Sequence, residues 1–485
     1  MDRQQLSAIS IQELGELFMT TVRQAGPELL EADLAGHPGG TRRQLQGLIR
    51  PGRARVVETV MATIAATQVT VQPTCAGCGE RARLVELRRA RHLHGLVGDY
   101  TLHRPYFVCD TCHHGVIPVD ERLGLGRGAC SPGLSRVVAR LGIEDAFGEG
   151  VDGIAEALGV EVAKEGVRRI TEGLGAVAEA EQQAMIAVAR AGEVPPLDAD
   201  AGEPTVLAVE VDGIMVHTDD AWHEAKVGTV APLGPKIEVD PDSRRERLRW
   251  GRASSWVGLE GSEDFWFRVY VEACRRGLGT TALTTIVVLA DGAEWIWKAA
   301  AGFLGIGDVE VVEIVDYYHA VEHLWVVANT VFGAGTPHAH AWVEPLKRRL
   351  LEDGASPVIT ALQTVVATDS LAAEEVRKAL GYFTTHAARM NYPAFVARQF
   401  TIGSGAVESA GKLLVGEREK GARVPACGCR WTRVGAQTVA TLRALHRSGR
   451  WVSFWQTQPQ CRRPAVFPRL PTLDPSPDAP SARAA

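Results

Sequence analysis

Short apolar runs rich in β-branched residues recur in the second half of the chain, and polar residues bound each of them. Such runs are typical of buried strands. They predict strands at 206–211, 226–231, 283–290 and 309–315. Apolar positions then take helical spacing at 293–304 and 319–332, and from about 319 to 400 the pattern is almost entirely helical. Strands followed by helices predict an α/β domain.

The first half of the chain has mainly helical patterns. Apolar residues at helical spacing predict N-terminal helices within 1–70. Residues 131–191 predict a helix, a short helix, a turn at Gly159 and a longer helix. This order is typical of a helix-turn-helix DNA-binding domain, although an ordinary helical bundle has the same pattern. The helix after the turn carries the candidate DNA-binding residues Lys164, Arg168 and Arg169.

Two further segments show neither the helical nor the strand spacing of apolar residues. Residues 192–204 are acidic and rich in proline, which predicts a linker. Residues 464–485 are also rich in proline, which predicts a disordered tail.

Length and composition narrow the class of protein. A chain of 485 residues predicts roughly three domains. No apolar run approaches the length of a membrane span, about 18 residues or more, and the polar N-terminus lacks the apolar core of a secretory signal. We therefore expect a cytoplasmic protein with reduced thiols, and the odd number of cysteines, nine, argues against a disulfide framework.

Charge is distributed unevenly. The net charge is −6, yet residues 408–463 carry eleven Lys and Arg against three Glu. A basic stretch on an acidic protein predicts contact with a polyanion, and Arg430 and Arg433 are candidate DNA-binding residues within it. A solvated surface helix of skewed composition is the alternative.

Two cysteine pairs form the strongest local motif, Cys75-x2-Cys78 and Cys109-x2-Cys112. Each pair can supply two thiolates to a tetrahedral Zn²⁺, so residues 71–125 predict a zinc ribbon. A redox pair or four separate buried cysteines are the alternatives. Six arginines lie between the pairs and are candidates for phosphate contacts: 81, 83, 88, 89, 91 and 104.

Three carboxylates form a second candidate site. Asp212 and Asp291 each follow a predicted strand and precede a glycine, and Glu408 lies near the start of a helix that Ser404 could cap. Two strand-borne aspartates and a helix-borne glutamate suit Mg²⁺ or Mn²⁺. Each also has a simpler explanation, because Asp-Gly pairs are common in turns and Glu408 could pair with Lys412.

At these residues the sequence resembles the ISKra family of bacterial insertion-sequence transposases, which is related to the Mutator-like group. The similar segments run from the cysteine pairs to about Trp455: VDGIMVHTDDAWHEAKVGTV, DGAEWIWKAA, VDYYHAVEHLW, GSGAVESAGK and, more loosely, EREKGARVPACGCRWTRVGA. The resemblance implies a DDE transposase with Asp212, Asp291 and Glu408 as its catalytic, metal-binding triad. Asp316-x2-His319 matches an accessory motif of the family.

The resemblance also implies the architecture and partners. An RNase H-like core would occupy 205–319 and 396–425, with a helical insertion at 320–395 and a basic C-terminal segment at 426–463. Trp325 and Trp342 of the insertion could stack on a displaced base or belong to its core. The expected partners are double-stranded DNA, both transposon ends and target, and further copies of the chain. A non-catalytic DNA-binding regulator and a metal-dependent nuclease without strand transfer remain alternatives.

Overall fold

A computed structural model of the chain describes residues 72–457, except 97, 127, 159, 240–245, 368 and 421–430. The predicted N-terminal helices, Arg430 and the predicted disordered tail lie outside the described residues. The described residues form two compact units. The first contains 72–137, 152–162 and 452–457, and the second contains 138–151 and 163–451.

The first unit contains a small antiparallel sheet in the order β1-β2-β3. Its strands are β1 (Ala82–Gly95), β2 (Gly98–Cys109) and β3 (Gly115–Val116), followed by helix α1 (Pro118–Arg122). Phe107 and Val116 pack with Cys75 and Cys109, so the cysteine pairs lie at one end of this sheet. The expected strands of a zinc ribbon are therefore present.

Three helices follow in the order that the sequence predicts: α2 (Pro132–Glu144), α3 (Phe147–Leu158) and α4 (Lys164–Arg190). Helix α4 lies in the second unit, where it packs closely on α13 (Arg433–Arg447). At Gly175 a side-chain Cβ would lie only 2.2 Å from the carbonyl oxygen of Thr438. The absence of a side chain at Gly175 therefore permits the close approach of the two helices.

The second unit contains a mixed sheet of six strands. Its strands are β4 (Val206–His217), β5 (Trp222–Val239), β6 (Glu246–Trp250), β7 (Ser254–Gly258), β8 (Thr285–Ala290) and β9 (Glu310–Val315). The order is β6-β5-β4-β8-β9, with β7 also paired to β5. Strands β4, β8 and β9 are parallel, whereas β5 is antiparallel to β4. The α/β prediction is thus confirmed.

Several strand boundaries differ from the sequence prediction: β5 extends beyond both ends of 226–231, and β4 extends beyond Val211. Asp212 and Gly213 were expected to end a strand after Val211, but β4 continues to His217 and pairs with β5 throughout. The parallel pairing of β4 with β8 is shorter, and its last pair is Glu210 with Leu289. A Cβ at Gly213 would lie 2.5 Å from Oε1 of Glu224 on β5. Gly213 therefore makes room for a cross-strand side chain and does not form a turn.

Helices cover the sheet and fill the region from 317 to 397. After α5 (Ser262–Arg276) and α6 (Glu294–Leu304), the helices are α7 (Tyr317–Phe332), α8 (Pro337–Asp353), α9 (Ser356–Thr364), α10 (Ser370–His386) and α11 (Tyr392–Ala397). Trp325 and Trp342 are half-buried and pack against this core, Trp325 on His340 and Trp342 on Phe332. These contacts favour the core interpretation of both tryptophans.

The chain then returns to the sheet. Helix α12 (Gly405–Gly411) leads into a π-helical segment (Lys412–Lys420), and α13 is followed by α14 (Trp451–Thr457). Val407, Ala410 and Leu414 pack with Val216 and Val227 of strands β4 and β5. In the part of the chain that the structure describes, no helix has the length and hydropathy needed to cross a membrane.

The predicted linker, 192–204, contains no helix or strand, but it is bound to the second unit by ion pairs. Asp198 pairs with Arg275 at 2.9 Å and with Arg450 at 2.7 Å. Asp200 pairs with Arg276 at 3.2 Å. Arg450 also pairs with the buried Glu272 at 2.8 Å. The aspartates of this segment therefore form ion pairs with arginines elsewhere in the second unit.

Candidate functional site

Three aspartates, Asp212, Asp291 and Asp316, follow the last paired residues of the parallel strands. The β4–β8 register pairs Glu210 with Leu289, and the β8–β9 register pairs Ala290 with Val315. Continuing the β4–β8 register by two residues pairs Asp212 with Asp291. Continuing the β8–β9 register by one residue pairs Asp291 with Asp316. The N–H of Asp316 donates to the carbonyl of Ala290 at 2.9 Å, which extends the second register. Neighbouring strands are about 4.8 Å apart, so the three backbones are close.

Two buried carboxylates fix the first turn of α12 beside this edge. Oδ2 of Asp316 accepts hydrogen bonds from the backbone N–H of Ser404 and from its hydroxyl, the latter at 2.6 Å. Oε2 of Glu210 accepts one from the N–H of Val407 at 2.7 Å. The next residue, Glu408, is exposed and lies 3.5 Å from the Ser404 hydroxyl through Oε1. The fold thus places Glu408 near the aspartates despite the long helical insertion.

The acidic side chains at this edge raise one another's pKa values. Burial raises the pKa of Asp212, and the Asp291 carboxylate raises it further. Burial also raises the pKa of Glu408, with Asp316 and Asp212 adding to the rise. Burial, followed by the nearby Asp316 and Glu408, raises the pKa of Glu210 to about 8. A divalent cation would relieve this repulsion, and carboxylate oxygens are the ligands that hard cations prefer.

The carboxylate oxygens are not arranged as a closed chelate. Within the described ranges, the cysteines form the only group of three or more Cys, His, Asp or Glu whose ligand atoms all lie within 4.8 Å of one another. Asp212 and Asp291 instead accept hydrogen bonds from nearby backbone N–H groups, Gly213 at 2.7 Å and Ala293 at 2.9 Å. The donor set fits Mg²⁺ or Mn²⁺ in chemistry, and binding of either ion stays a prediction.

The two accessory candidates have different surroundings. Asp316 is 1% exposed, and its oxygens accept hydrogen bonds from Ser404 and from the N–H of His319 at 2.9 Å. It therefore holds α7 and α12 in place. The His319 ring is partly exposed, its centroid lies 5.3 Å from that of His323, and its charge opposes the rise in the pKa of Asp212. His319 is the accessory group with access to both solvent and the carboxylates.

Three residues support this site in ways that the sequence did not predict, although Ser404 was expected to cap the helix. Glu210 and Ser404 hold α12, and the Tyr382 hydroxyl donates to the carbonyl of Asp291 at 2.8 Å. Glu210 had one local signal, since it precedes Asp212 by two residues and therefore shares its face of the strand. Tyr382 had none, because it lies 91 positions from Asp291.

The four cysteines converge in the first unit as predicted. The Sγ atoms of Cys75 and Cys112 are 3.5 Å apart, and those of Cys78 and Cys109 are 3.4 Å apart. The backbone N–H of Cys112 is the main cause that lowers the pKa of Cys109 to about 6, which favours its thiolate. Four thiols at this spacing are compatible with a tetrahedral Zn²⁺ site.

The arginines between the cysteine pairs serve different purposes. Arg91 and Arg104 both pair with Asp120, at 2.7 and 2.6 Å, and hold α1 on the sheet. The Arg89 guanidinium lies 4.1 Å from the centroid of the Tyr106 ring. Arg81 and Arg88 are exposed on the surface. Arg91 and Arg104 therefore serve contacts within the fold, and fewer than six arginines stay candidates for phosphate contacts.

The candidate DNA-binding residues of α4 also differ. Lys164 and Arg169 are exposed, whereas Arg168 bonds to Glu165 at 2.9 Å and to Glu172 at 2.6 Å. These two carboxylates offset the charge of Arg168, so Lys164 and Arg169 are the stronger candidates.

Much of the basic C-terminal charge is directed inward. Arg418 donates to the carbonyl of Gly142, and Arg443 pairs with Glu144 at 2.9 Å, so both hold the end of α2. Arg447 also pairs with Glu144, at 2.7 Å. Arg433 is exposed and donates to the carbonyl of Leu259 at 2.6 Å. Part of the positive charge of the C-terminal segment therefore serves contacts within the fold.

Comparison of the sequence with protein-family models and with curated protein sequences finds no match.

Proposed function

We propose that the protein is a DNA transposase that binds the ends of an insertion sequence and catalyses metal-dependent DNA cleavage and strand transfer. The observation that carries the proposal is that Asp212 and Asp291 follow the last paired residues of the neighbouring parallel strands β4 and β8, at the edge where Glu210 and Asp316 hold the first turn of the helix that bears Glu408. Two strand-borne aspartates and a helix-borne glutamate are the arrangement that the sequence resemblance implies.

The sheet topology supports an RNase H-like assignment of the core. The antiparallel strands β4, β5 and β6 precede the parallel strands β8 and β9, and β4 lies at the centre. A helix precedes β8, another lies between β8 and β9, and the helical region lies between β9 and α12. This is the order expected for an RNase H-like core interrupted by a helical insertion.

In this proposal Asp212, Asp291 and Glu408 hold two divalent cations, Mg²⁺ or Mn²⁺. When bound, such cations activate a water or a 3′-hydroxyl and stabilise the leaving 3′-oxygen. The chain itself orients the ligands: the N–H groups of Gly213 and Ala293 hold the aspartates, and Asp316 holds the start of α12. His319 is placed to hold a proton or contact a phosphate at the same edge.

The remaining parts of the chain have supporting roles in the proposal. Four cysteine thiolates bind a structural Zn²⁺, and the zinc ribbon and the helices α2 to α4 recognise transposon ends as an oligomer of the chain. Lys164 and Arg169 contact the duplex, and Arg430 and Arg433 contact phosphate without selectivity for sequence.

Incubating the purified protein with duplex DNA from the gene's flanks and a target plasmid in Mg²⁺ tests the proposal. A transposase gives cleavage at the element ends and products joined to the target. Cleavage without joined products identifies a nuclease. Selective binding of the ends without either product identifies a non-catalytic regulator. Either of the last two outcomes would overturn the proposal.

A further inference from the structure

Glu210 is a buried carboxylate that the proposed chemistry does not use. It is 0% exposed, and it shares one face of β4 with Asp212. Its Oε2 accepts a hydrogen bond from the N–H of Val407, 197 positions later in the chain. Its Oε1 has no hydrogen-bond partner among the described residues. Burying a carboxyl group is costly, and the backbone N–H groups of Val407 and Ala406 offset that cost, Val407 most strongly.

This bond replaces the usual cap of helix α12. The first N–H groups of a helix lack partners within it, and an N-cap serine commonly accepts from one of them through its hydroxyl. Ser404 occupies the N-cap position, but its hydroxyl donates to Asp316. The N–H of Val407, in the first turn, donates to Glu210 instead. Strand β4 therefore supplies the cap from outside the helix.

The cap joins the two segments that carry candidate ligands. Val407 directly precedes Glu408, and Glu210 precedes Asp212 by two residues in the same strand. One hydrogen bond of 2.7 Å therefore fixes the backbone beside Glu408 to the backbone beside Asp212. Asp316 anchors the same turn through Ser404, and Val407 packs with Val216 and Val227, so loss of the Glu210 bond would remove one of the two polar anchors of this turn.

We propose that Glu210 is a positioning residue of the candidate metal site, which sets the place of Glu408 relative to Asp212 through its hydrogen bond to Val407. This inference rests on the proposed function. Glu210 acts through the bond and not as a cation ligand, because its side chain is fully buried and Oε2 already accepts from Val407.

The test uses the full-length, zinc-loaded protein and Mn²⁺ as the probe, with binding measured by calorimetry. Glu210→Ala removes the acceptor, whereas Glu210→Gln keeps an oxygen for Val407 and removes the ionisable carboxyl group. Loss of a group that orients a metal ligand weakens metal binding about 10- to 100-fold. We expect that loss for Glu210→Ala, near wild-type affinity for Glu210→Gln, and loss of binding for Asp212→Asn.

Hydrogen exchange of the metal-free proteins gives a second measurement. The amides of 405–411 should exchange faster in Glu210→Ala than in wild type, and no faster in Glu210→Gln or Asp212→Asn. Glu419→Ala is the matched control, because Glu419 is also buried with an unpartnered Oε1 among the described residues. It should leave both the Mn²⁺ affinity and the exchange of this turn unchanged.

The outcomes separate this inference from the proposed function. If the wild type binds no Mn²⁺ and cleaves no DNA, the proposed function fails and the metal-site role of Glu210 fails with it. If the wild type binds Mn²⁺ but Glu210→Ala binds it equally well, only the inference is overturned. It is also overturned if Glu210→Gln is as weak as Glu210→Ala, since the ionisable carboxyl and not the hydrogen bond would then be the requirement, or if Glu419→Ala weakens binding equally.

Discussion

Asp316 and Ser404 lie 88 positions apart, yet the carboxylate of Asp316 accepts hydrogen bonds from both the N–H and the hydroxyl of Ser404. This contact closes the helical region of 317–397 back onto the sheet at the point where Glu408 follows. It explains how a carboxylate so distant in sequence can lie beside the two strand-borne aspartates.

Ser404→Ala should weaken this closure. The variant removes one of the donors to a buried carboxylate, which costs about 1–3 kcal/mol of unfolding free energy. We expect that loss in urea denaturation, together with slower Mg²⁺-dependent cleavage. Ser409→Ala is the control, because Ser409 is exposed on the same helix. Equal stability of the Ser404 and Ser409 variants would contradict the proposed role of the contact.

The close packing of α4 on α13 predicts opposite effects on stability for two glycine-to-alanine variants in α4. Gly175→Ala places a Cβ 2.2 Å from the Thr438 carbonyl oxygen, and overpacking of this kind costs about 1–3 kcal/mol. Gly173→Ala meets nothing within 4 Å on the same helix and should stabilise it by about 0.5–1 kcal/mol. Thermal unfolding measures both. Stabilisation by Gly175→Ala would show that the two helices do not approach this closely.

Acid should remove one identifiable part of the stability of the second unit. Burial alone would raise the pKa of Glu272, but Arg450 and Arg275 lower it to about 2. Because the pKa is lower in the folded state, the stabilisation is complete above the ordinary value of about 4.5 and is lost as the pH falls towards 2.

Glu272→Gln should therefore be less stable than wild type at pH 7, by about 3 kcal/mol for a broken buried pair. The difference should shrink between pH 4.5 and 2, because the wild-type carboxyl becomes protonated there. Urea denaturation at several pH values measures it. Glu294→Gln, which alters an exposed pair with Lys298, should follow wild type throughout. A difference that stays constant with pH would refute the assignment.

Zinc removal should act on the first unit alone. We expect one zinc ion per chain by elemental analysis, and its loss in Cys109→Ser, because four thiols converge there. Cys130→Ser should keep the metal, since Cys130 lies outside this group. Hydrogen exchange in residues 72–122 should rise with metal loss. If these amides exchange equally slowly in the wild-type protein with and without zinc, the site is not a structural zinc site.

Sequence analysis predicted what depends on local spacing. The cysteine pairs and the strands bearing Asp212 and Asp291 were found because each signal lies within a few residues. The end of β4 was placed too early, since Asp-Gly suggests a turn and Gly213 instead faces Glu224 on β5. The hydrogen-bond partners of Glu210 and Ser404 could not be predicted, because Val407 and Asp316 lie 197 and 88 positions away from them.

The inward use of basic residues was hidden for the same reason. Composition alone cannot distinguish an arginine that contacts phosphate from one that holds a helix end. Arg418 and Arg443 bond to the last turn of α2, about three hundred positions earlier for Arg443. Arg450 pairs with Asp198 and Glu272. Long-range pairing of this kind is decided by the fold and leaves no periodic signal.

The most direct test of the account is the rate of Mg²⁺-dependent cleavage of element-end DNA by Asp212→Asn. Asp219→Asn is the matched control, since Asp219 is an exposed aspartate in the turn at the far end of β4. We expect the Asp212 variant to bind the ends as wild type does and to lose cleavage, because the cations lose a charged ligand. The control should cleave normally. Cleavage by Asp212→Asn at a near wild-type rate would contradict the assignment of the metal site.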